Sequence, residues 1–262
     1  MTNETLIRLA VFLLAFVVFA SWESLAPRRP LSYVRSRRWL GNIGLSVINQ
    51  LAVRLFFPVL AVGLAVVVQQ HGWGLFNIVK VPNTLAVLIC FLLLDLAIYV
   101  QHIVFHRIDW LWRLHRVHHT DLDFDVTTAI RFHPIEIILS MLIKMILVVL
   151  LGAPPLAVLI FEVVLNLTAL FNHSNVRIPL PLDRILRWVV VTPDMHRVHH
   201  SAEPVETDSN FGFNLPWWDY LFSTYRAQPK KGHAEMTVGL HEFRNEQQLA
   251  LPDLLLLPFK RP

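Results

Sequence analysis

Cysteine is nearly absent: Cys90 stands alone among 262 residues. One thiol excludes a disulfide framework and any cysteine-based zinc or iron–sulfur site. Glycine is scarce, at 9 residues, and no Gly/Ser linker, low-complexity tract or solenoid repeat divides the chain. Charge is thin as well, with 16% of residues charged against 55% apolar. That balance excludes a disordered chain, which is rich in charge and poor in apolar groups. A positive mean hydropathy argues for lipid exposure. The net charge of +4 comes with arginines that flank apolar runs, which points to a membrane surface and away from nucleic acid. The length suits one membrane body with a modest soluble lobe.

What is abundant is long apolar runs. They cover Leu6–Trp22, Ile43–Val68, Thr84–Val100, Ile135–Leu151 and Leu156–Phe171, each about long enough to cross 30 Å of hydrocarbon. Ser21-Trp22-Glu23-Ser24 is a poor cleavage site, so the first run is expected to be a retained helix. Gly152-Ala153-Pro154-Pro155 makes runs four and five a hairpin. Lys144 within run four also allows a re-entrant helix there. Arg28, Arg29, Arg35, Arg37 and Arg38 lie between runs one and two, whereas the His71–Lys80 loop has one lysine. The positive-inside rule puts the arginine loop in the cytoplasm. Alternation of the spans then brings residues after His102 and after His173 to the same face. Residues 174–262 read as the only sizeable non-membrane stretch, with the tail Leu251–Phe259 too short to span and expected at the interface.

Histidine is the second excess. Ten of 13 histidines fall between residues 102 and 200. His102 and His106 are four apart, while His115, His118, His119 and His196, His199, His200 form two H-x2-H-H clusters. His133 and His173 stand at the hairpin's ends. Residues three and four apart share a helical face, so each cluster is expected to aim its imidazoles at one point. Packed imidazoles without a metal would repel on protonation and need many hydrogen-bond partners. Neutral imidazole suits iron, copper and zinc, and eight to ten ligands imply two ions. Acids are sparse: Asp121, Asp123 and Asp125 follow the first cluster and Asp194 precedes the second. They serve either as carboxylates that orient imidazoles or as ordinary loop acids. Asp95 lies inside run three, where a carboxylate is costly and marks function. Asp95, Tyr99, His102 and His106 share one helical face, so Asp95 is expected to fix the tautomer of His102, with Arg54 as its alternative partner. His71, His233 and His241 lack supporting spacing and read as surface residues.

These residues resemble the fatty acid hydroxylase/sterol desaturase superfamily of integral-membrane non-haem di-iron enzymes. The resemblance runs from Asp95 to about Tyr225 and rests on His102-Ile-Val-Phe-His106 and on His115-Arg116-Val117-His118-His119. It continues through Arg131-Phe132-His133-Pro134-Ile135-Glu136, Phe171-Asn172-His173-Ser174-Asn175, and Thr192-Pro193-Asp194-Met195-His196-Arg197-Val198-His199-His200. Asn210-Phe211-Gly212 and Trp218-Asp219-Tyr220-Leu221-Phe222-Ser223-Thr224 match the Asn-Tyr-Gly and Trp-Asp-x-x-Phe-Gly-Thr motifs, with Ser223 where glycine is usual. The resemblance implies an all-α integral membrane fold of about four to five membrane helices, with a helical cytoplasmic cap carrying a di-metal histidine site. Residues 1–94 would be N-terminal membrane helices, 95–225 the catalytic region with its membrane hairpin (135–172), and 226–262 a cytoplasmic tail.

By the same resemblance His102, His106, His115, His118, His119, His173, His196, His199 and His200 are metal ligands. His133 is a tenth candidate whose place before Pro134 also fits a helix start. Asp95, Tyr99, Asp194 and Asn175 are expected behind the ligands. The implied cofactors are two iron ions, with zinc possible in purified protein. The implied partners are a lipid, O2 and a separate electron donor of ferredoxin or cytochrome b5 type with its reductase, since no cytochrome b5 domain is present here. The outcome would be hydroxylation, desaturation or ether cleavage in a multi-pass protein of a bacterial inner membrane. Phe105, Trp110, Trp112, Phe132, Trp217 and Trp218 either line a lipid slot or anchor the membrane interface. One rival is a membrane zinc hydrolase, which wants His-Glu-x-x-His or a carboxylate base beside its ligands; no such motif occurs. A non-catalytic metal or haem binder is the other, but transporters hold ligands near the bilayer midplane and haem needs two axial histidines.

Overall fold

The computed structural model describes residues 3–246 and 250–261. Its elements are helical: α1 (Asn3–Leu25), α2 (Arg35–Phe56), α3 (Ala61–Gln70), the single turn α4 (Leu75–Ile78), α5 (Asn83–Arg107) and α6 (Asp109–His119). A 3-10 turn at Val126–Ile130 precedes α7 (Pro134–Leu151), α8 (Pro155–Asn172), α9 (Leu180–Leu186) and α10 (Pro193–His199), with shorter helices beyond. Among the described residues β structure is limited to the isolated bridges Pro27–Val176 and Ser201–Val238.

Five segments are long and apolar enough to cross a membrane: Leu6–Leu25, Arg35–Ile78, Asn83–Arg107, Pro134–Leu151 and Pro155–Asn172. The protein is therefore a multi-pass membrane protein, and the five runs expected from the sequence are the five spans. The second is not one helix. It breaks between Phe56 and Ala61, where Pro58 removes a backbone donor and its ring clashes with the preceding turn. Small residues let the helices close up: Ala61, Ala65, Cys90, Ala153 and Ala157 are fully or almost fully buried where α3, α5, α7 and α8 meet. Leucines such as Leu14, Leu51 and Leu150 face outward, as a lipid-facing surface requires.

The hairpin turn closes as expected. Gly152 ends α7 in the left-handed region at φ 62°, and a Cβ there would meet the Trp73 carbonyl oxygen at 2.6 Å. The loop after α3 thus docks on the hairpin turn, and both lie at one end of the bundle. Three of the charges inside the apolar runs, Arg8, Lys144 and Glu162, are paired with each other. Glu162 of α8 accepts from Lys144 of α7 at 2.9 Å and also from Arg8 of α1, so α7 carries its lysine inward.

At the opposite end, the arginine-rich loop is built into the cap. Arg38 is fully buried and donates to Asp121 at 2.7 and 2.9 Å and to Asp125 at 2.6 Å. Asn42 donates to Asp121 and Thr127, and Arg131 donates to Asn42. Burial alone would raise the Asp121 carboxyl, but Arg38 and Arg131 outweigh it and hold Asp121 at about 2. Asp123 caps the Ser32 and Tyr33 amides at 2.9 and 2.8 Å. The acids at 121–125 are therefore loop acids, buried and fully employed in tying α2 to the segment after α6. The tail Leu251–Leu256 packs by Leu254 and Leu257 against Leu45 and Val117, held by Arg116 donating to the Leu257 and Lys260 carbonyls.

Candidate metal centre

Nine histidines converge, in two groups. His102, His106, His115, His119 and His199 bring one ring nitrogen each within 4.8 Å of one another; His118, His173, His196 and His200 do the same. Four helix ends supply them. His102 and His106 occupy the last turns of α5, and His115, His118 and His119 the last turns of α6. His173 caps α8. The remaining three belong to α10 and the residue after it; α10 starts with Thr192 accepting from the Met195 amide and Pro193 at the first helical position.

The H-x2-H-H clusters do not each face one point. Pairs four apart stay together, as His102/His106, His115/His119 and His196/His200, while His118 and His199 cross to the other group. A four-residue step turns a helix by about 40° from a full turn and a three-residue step by about 60° the other way. On helices wedged between the two groups, that difference sorts the imidazoles. The groups touch: the rings of His119 and His200 stack with centroids 4.6 Å apart.

Tautomers follow from fixed acceptors. Nδ1 of His102 lies 2.8 Å from the Phe211 carbonyl, Nδ1 of His199 2.8 Å from the Ser209 carbonyl, and Nδ1 of His173 2.8 Å from the Ala169 carbonyl. A carbonyl only accepts, so these protons sit on Nδ1 and each Nε2 carries an inward lone pair. His118 Nδ1 faces the Arg131 carbonyl at 3.3 Å. Nε2 of His173 nonetheless lies 3.1 Å from Nε2 of His118 and 3.0 Å from Nε2 of His196. For His118 and His173, whose protons sit on Nδ1, the facing Nε2 lone pairs repel at that range unless a cation lies between them. Two nitrogens at right angles around an ion at ~2.1 Å are separated by about 3.0 Å. In the other group, Nε2 of His102, His106, His115 and His199 is buried without a partner. Burial, reinforced by the neighbouring rings, holds His118, His119, His196 and His200 well below the ordinary imidazole range. Burial likewise holds His173 and His199 down, at about 3. All six are neutral at pH 7, the form that ligates metal. The donor set fits two metal ions.

Sequence and structure diverge behind the ligands. His133 joins neither group. It is the N-cap of α7, its Nδ1 accepting from the Ile135 amide, with Nε2 at 3.2 Å from the Leu255 carbonyl; Pro134 directs the chain away from the centre. Asp95 does not reach His102, nor does it pair with Arg54, which is exposed. Its Oδ2 accepts from Trp218 Nε1 at 2.8 Å and from the Leu215 amide at 3.3 Å. Tyr99 contacts Thr224 at 2.8 Å and sets its ring edge-on to Phe211. Asp194 binds Arg28 and Arg197. Asn175 exchanges hydrogen bonds with the backbone of Arg29. None of these four side chains bonds a ligand imidazole; all brace the cap around them. His233 is not a surface residue either: it is 3% exposed, with Nε2 3.5 Å from Asp194. His71 and His241 are exposed as expected.

Two carboxyls that spacing did not single out do reach ligands. Glu136 Oε1 lies 2.7 Å from Nδ1 of His115, and Asp208 Oδ1 lies 3.3 Å from Nδ1 of His106. Glu136 was visible as the acid in the first turn after His133-Pro134; Asp208 carried no signal. Of the six aromatics singled out, Phe132 stacks on His118 at 4.4 Å and Trp112 packs on His106 at 4.9 Å. Phe105 is buried edge-on to His115. Trp110 and Trp217 are exposed.

The Asn210-Phe211-Gly212 segment delivers the Phe211 carbonyl to His102. Asp219 accepts from the Phe211 and Gly212 amides, each at 2.8 Å. A Cβ on Gly212 would meet Asp219 Oδ2 at 2.6 Å, so only glycine permits that clasp. A family model described as fatty acid hydroxylase matches residues 87–224, just over half of the chain. The chain belongs to this family. It is 31% identical over 158 residues to the ornithine lipid hydroxylase of Rhizobium tropici, covering 60% of this chain and 46% of that protein. It is 27% identical over 188 residues to the alkylglycerol monooxygenase of Xenopus tropicalis, covering 69% and 40%. It is 30% identical over 147 residues to the human cholesterol 25-hydroxylase, covering 54% and 51%. The matched part thus spans about half or less of the length of these relatives. No solved structure matches the chain.

Membership makes sense of Ser223, the one departure from the family's Trp-Asp-x-x-Phe-Gly-Thr motif. Ser223 has φ 58°, the left-handed region that costs a non-glycine residue ~1–2 kcal/mol. Glycine is usual there because the turn after Phe222 requires that conformation.

Proposed function

We propose that this fatty acid hydroxylase family member is a membrane-embedded lipid hydroxylase whose two histidine groups hold two iron ions. The observation that carries the reading is the set of buried, neutral imidazoles with lone pairs turned inward in two adjoining groups. Bound iron supplies the activation of O2, using two electrons from a separate ferredoxin or cytochrome b5-type donor and its reductase. The overall change inserts one oxygen atom into a C–H bond, and the second leaves as water with two protons and the two electrons.

The chain's own residues do the rest. The carbonyls of Phe211, Ser209 and Ala169 hold three imidazoles in the ligating tautomer. Glu136 does the same for His115 and adds negative charge behind it, which strengthens the imidazole as a donor. Phe124, Phe132 and Phe211 pack against the rings and exclude water. The relatives' names specify an ornithine lipid, an alkylglycerol and cholesterol, and they name hydroxylases and monooxygenases. Hydroxylation of a lipid carbon is accordingly favoured over desaturation. The arginine-rich loop on the histidine end favours the cytoplasmic face, and the bacterial relative favours a bacterial inner membrane.

The test is isotopic. Iron-loaded protein in vesicles of bacterial lipid, supplied with reductant and isotopically heavy O2, is expected to yield a lipid heavier by one labelled oxygen. His199→Ala/His200→Ala is expected to yield none. Reduced, iron-loaded protein that places no O2-derived oxygen in any lipid overturns the reading.

A further inference from the structure

The cap has one apolar side. Leu182, Ile185 and Trp188, on and just after α9, are 49%, 66% and 68% exposed, and Trp217, Leu221 and Phe222 are 45%, 67% and 51% exposed. They form one surface. Trp217 Nε1 donates to the Trp188 carbonyl at 2.7 Å, the Trp188 ring stacks on Tyr220 at 5.5 Å, and Tyr220 donates to the Arg187 carbonyl. Monomeric soluble surfaces rarely leave so many large apolar side chains together in water.

The depth of this surface is fixed by α5. Trp218 and Leu215 are bonded to Asp95, and Phe222 stacks on Tyr99 with centroids 5.5 Å apart. Asp95 is the midpoint of α5, about 10 Å along the helix from His102 at 1.5 Å per residue. Residues 215–222 therefore lie alongside the spanning part of α5, below the level at which the helix leaves the hydrocarbon. Irregular backbone at such depth must have its polar groups satisfied within the protein, and here it has. Asp95 takes the Leu215 amide, Asp219 takes those of Phe211 and Gly212, and Asn172 donates to the Phe213 carbonyl. Arg177 and Arg184, just before and within α9, are exposed, whereas Asp183 is buried against Arg187 at 2.7 Å. Cations in this segment and tryptophan on the face suit an anionic bilayer surface.

We infer that residues 180–189 and 215–222 form a re-entrant face in contact with lipid, continuous with the lipid-facing side of α5. The cap is thus partly immersed, beyond the interfacial tail that the sequence suggested for residues 174–262. The inference rests on packing and depth, not on the reaction, so it survives or fails separately from the proposed activity.

Spin labels test it in reconstituted full-length protein, in a Cys90→Ala background. Ile185→Cys and Leu221→Cys are compared with Lys231→Cys, whose parent side chain is 55% exposed on the polar side of the cap. All three replace exposed side chains, and unchanged metal content verifies the fold. The expected result is high collision with O2 and low collision with a water-soluble nickel chelate at 185 and 221, with the reverse at 231. Preferential nickel access at 185 and 221 overturns the inference. Shielding from both reagents with spin–spin broadening assigns the face to a second copy of this chain, and equally overturns it.

Discussion

The two histidine groups lie side by side yet are held by different means. In the five-membered group, His102 and His199 lean on backbone carbonyls of the cap, and His115 and His106 on the carboxyls of Glu136 and Asp208. In the four-membered group no carboxyl among the described residues bonds an imidazole. His173 bonds within its own helix end, His118 bonds the Arg131 carbonyl, and neither nitrogen of His200 has a partner. Stacking by Phe132 on His118 and by Phe124 on His173 takes the place of charge. Both groups thus rest partly on backbone carbonyls, but one adds acids behind two of its imidazoles and the other adds ring packing.

Acid should erase the difference, and it is the largest effect expected. His173 and His199, one from each group, have folded-state values of about 3 against an ordinary 6.5. The unfolded chain therefore binds more protons below pH 6.5, so stability is full above that pH and falls as pH drops toward 3. Asp121 adds a second loss between 3.8 and about 2. Metal retention and thermal melting in detergent should decline together over that range in both groups.

Glu136→Gln sharpens the contrast. Glutamine still accepts from His115 but carries no charge, so affinity should fall about 10–100-fold at the five-membered group alone. A two-step cobalt titration followed by absorbance reads it: one step weakens and the other stays. Equal weakening of both steps would mean the groups are not separately tuned. His133→Ala should leave both metal steps intact while removing the cap of α7, at a cost of about 1 kcal/mol measured as a lower melting temperature. Ser223→Gly is the smallest effect. Relief of the left-handed strain is largely offset by the added freedom of glycine in the unfolded chain, leaving a gain of ~0.5 kcal/mol, visible as a slightly higher melting temperature with metal content unchanged.

The membrane body was readable because its signals are local. Apolar runs, the Gly-Ala-Pro-Pro turn and the arginine-rich loop each act within a few residues of themselves. The convergence of nine histidines was nearly as legible, because imidazole pairs four apart are a local pattern and the family motifs supplied His173. The partition of each H-x2-H-H cluster between two groups was not, since a helical face says nothing of what lies on either side. Glu136 and Asp208 reach their imidazoles from 21 and 102 residues away, a distance no spacing encodes. Asp95 shows the converse. Its place on the histidine face suggested a bond to His102, but Trp218 and Leu215, 123 and 120 residues on, bring donors that claim it first. His133 was overruled by local chemistry, because a residue before proline at a helix start is already committed as the cap.

The most direct test of the two-metal account is elemental analysis of gently purified protein beside His199→Ala/His200→Ala, which removes one ligand from each group. The account predicts about two iron ions per chain and their near-complete loss in the variant. A chain that binds no metal, or a variant that retains the wild-type content, would contradict it.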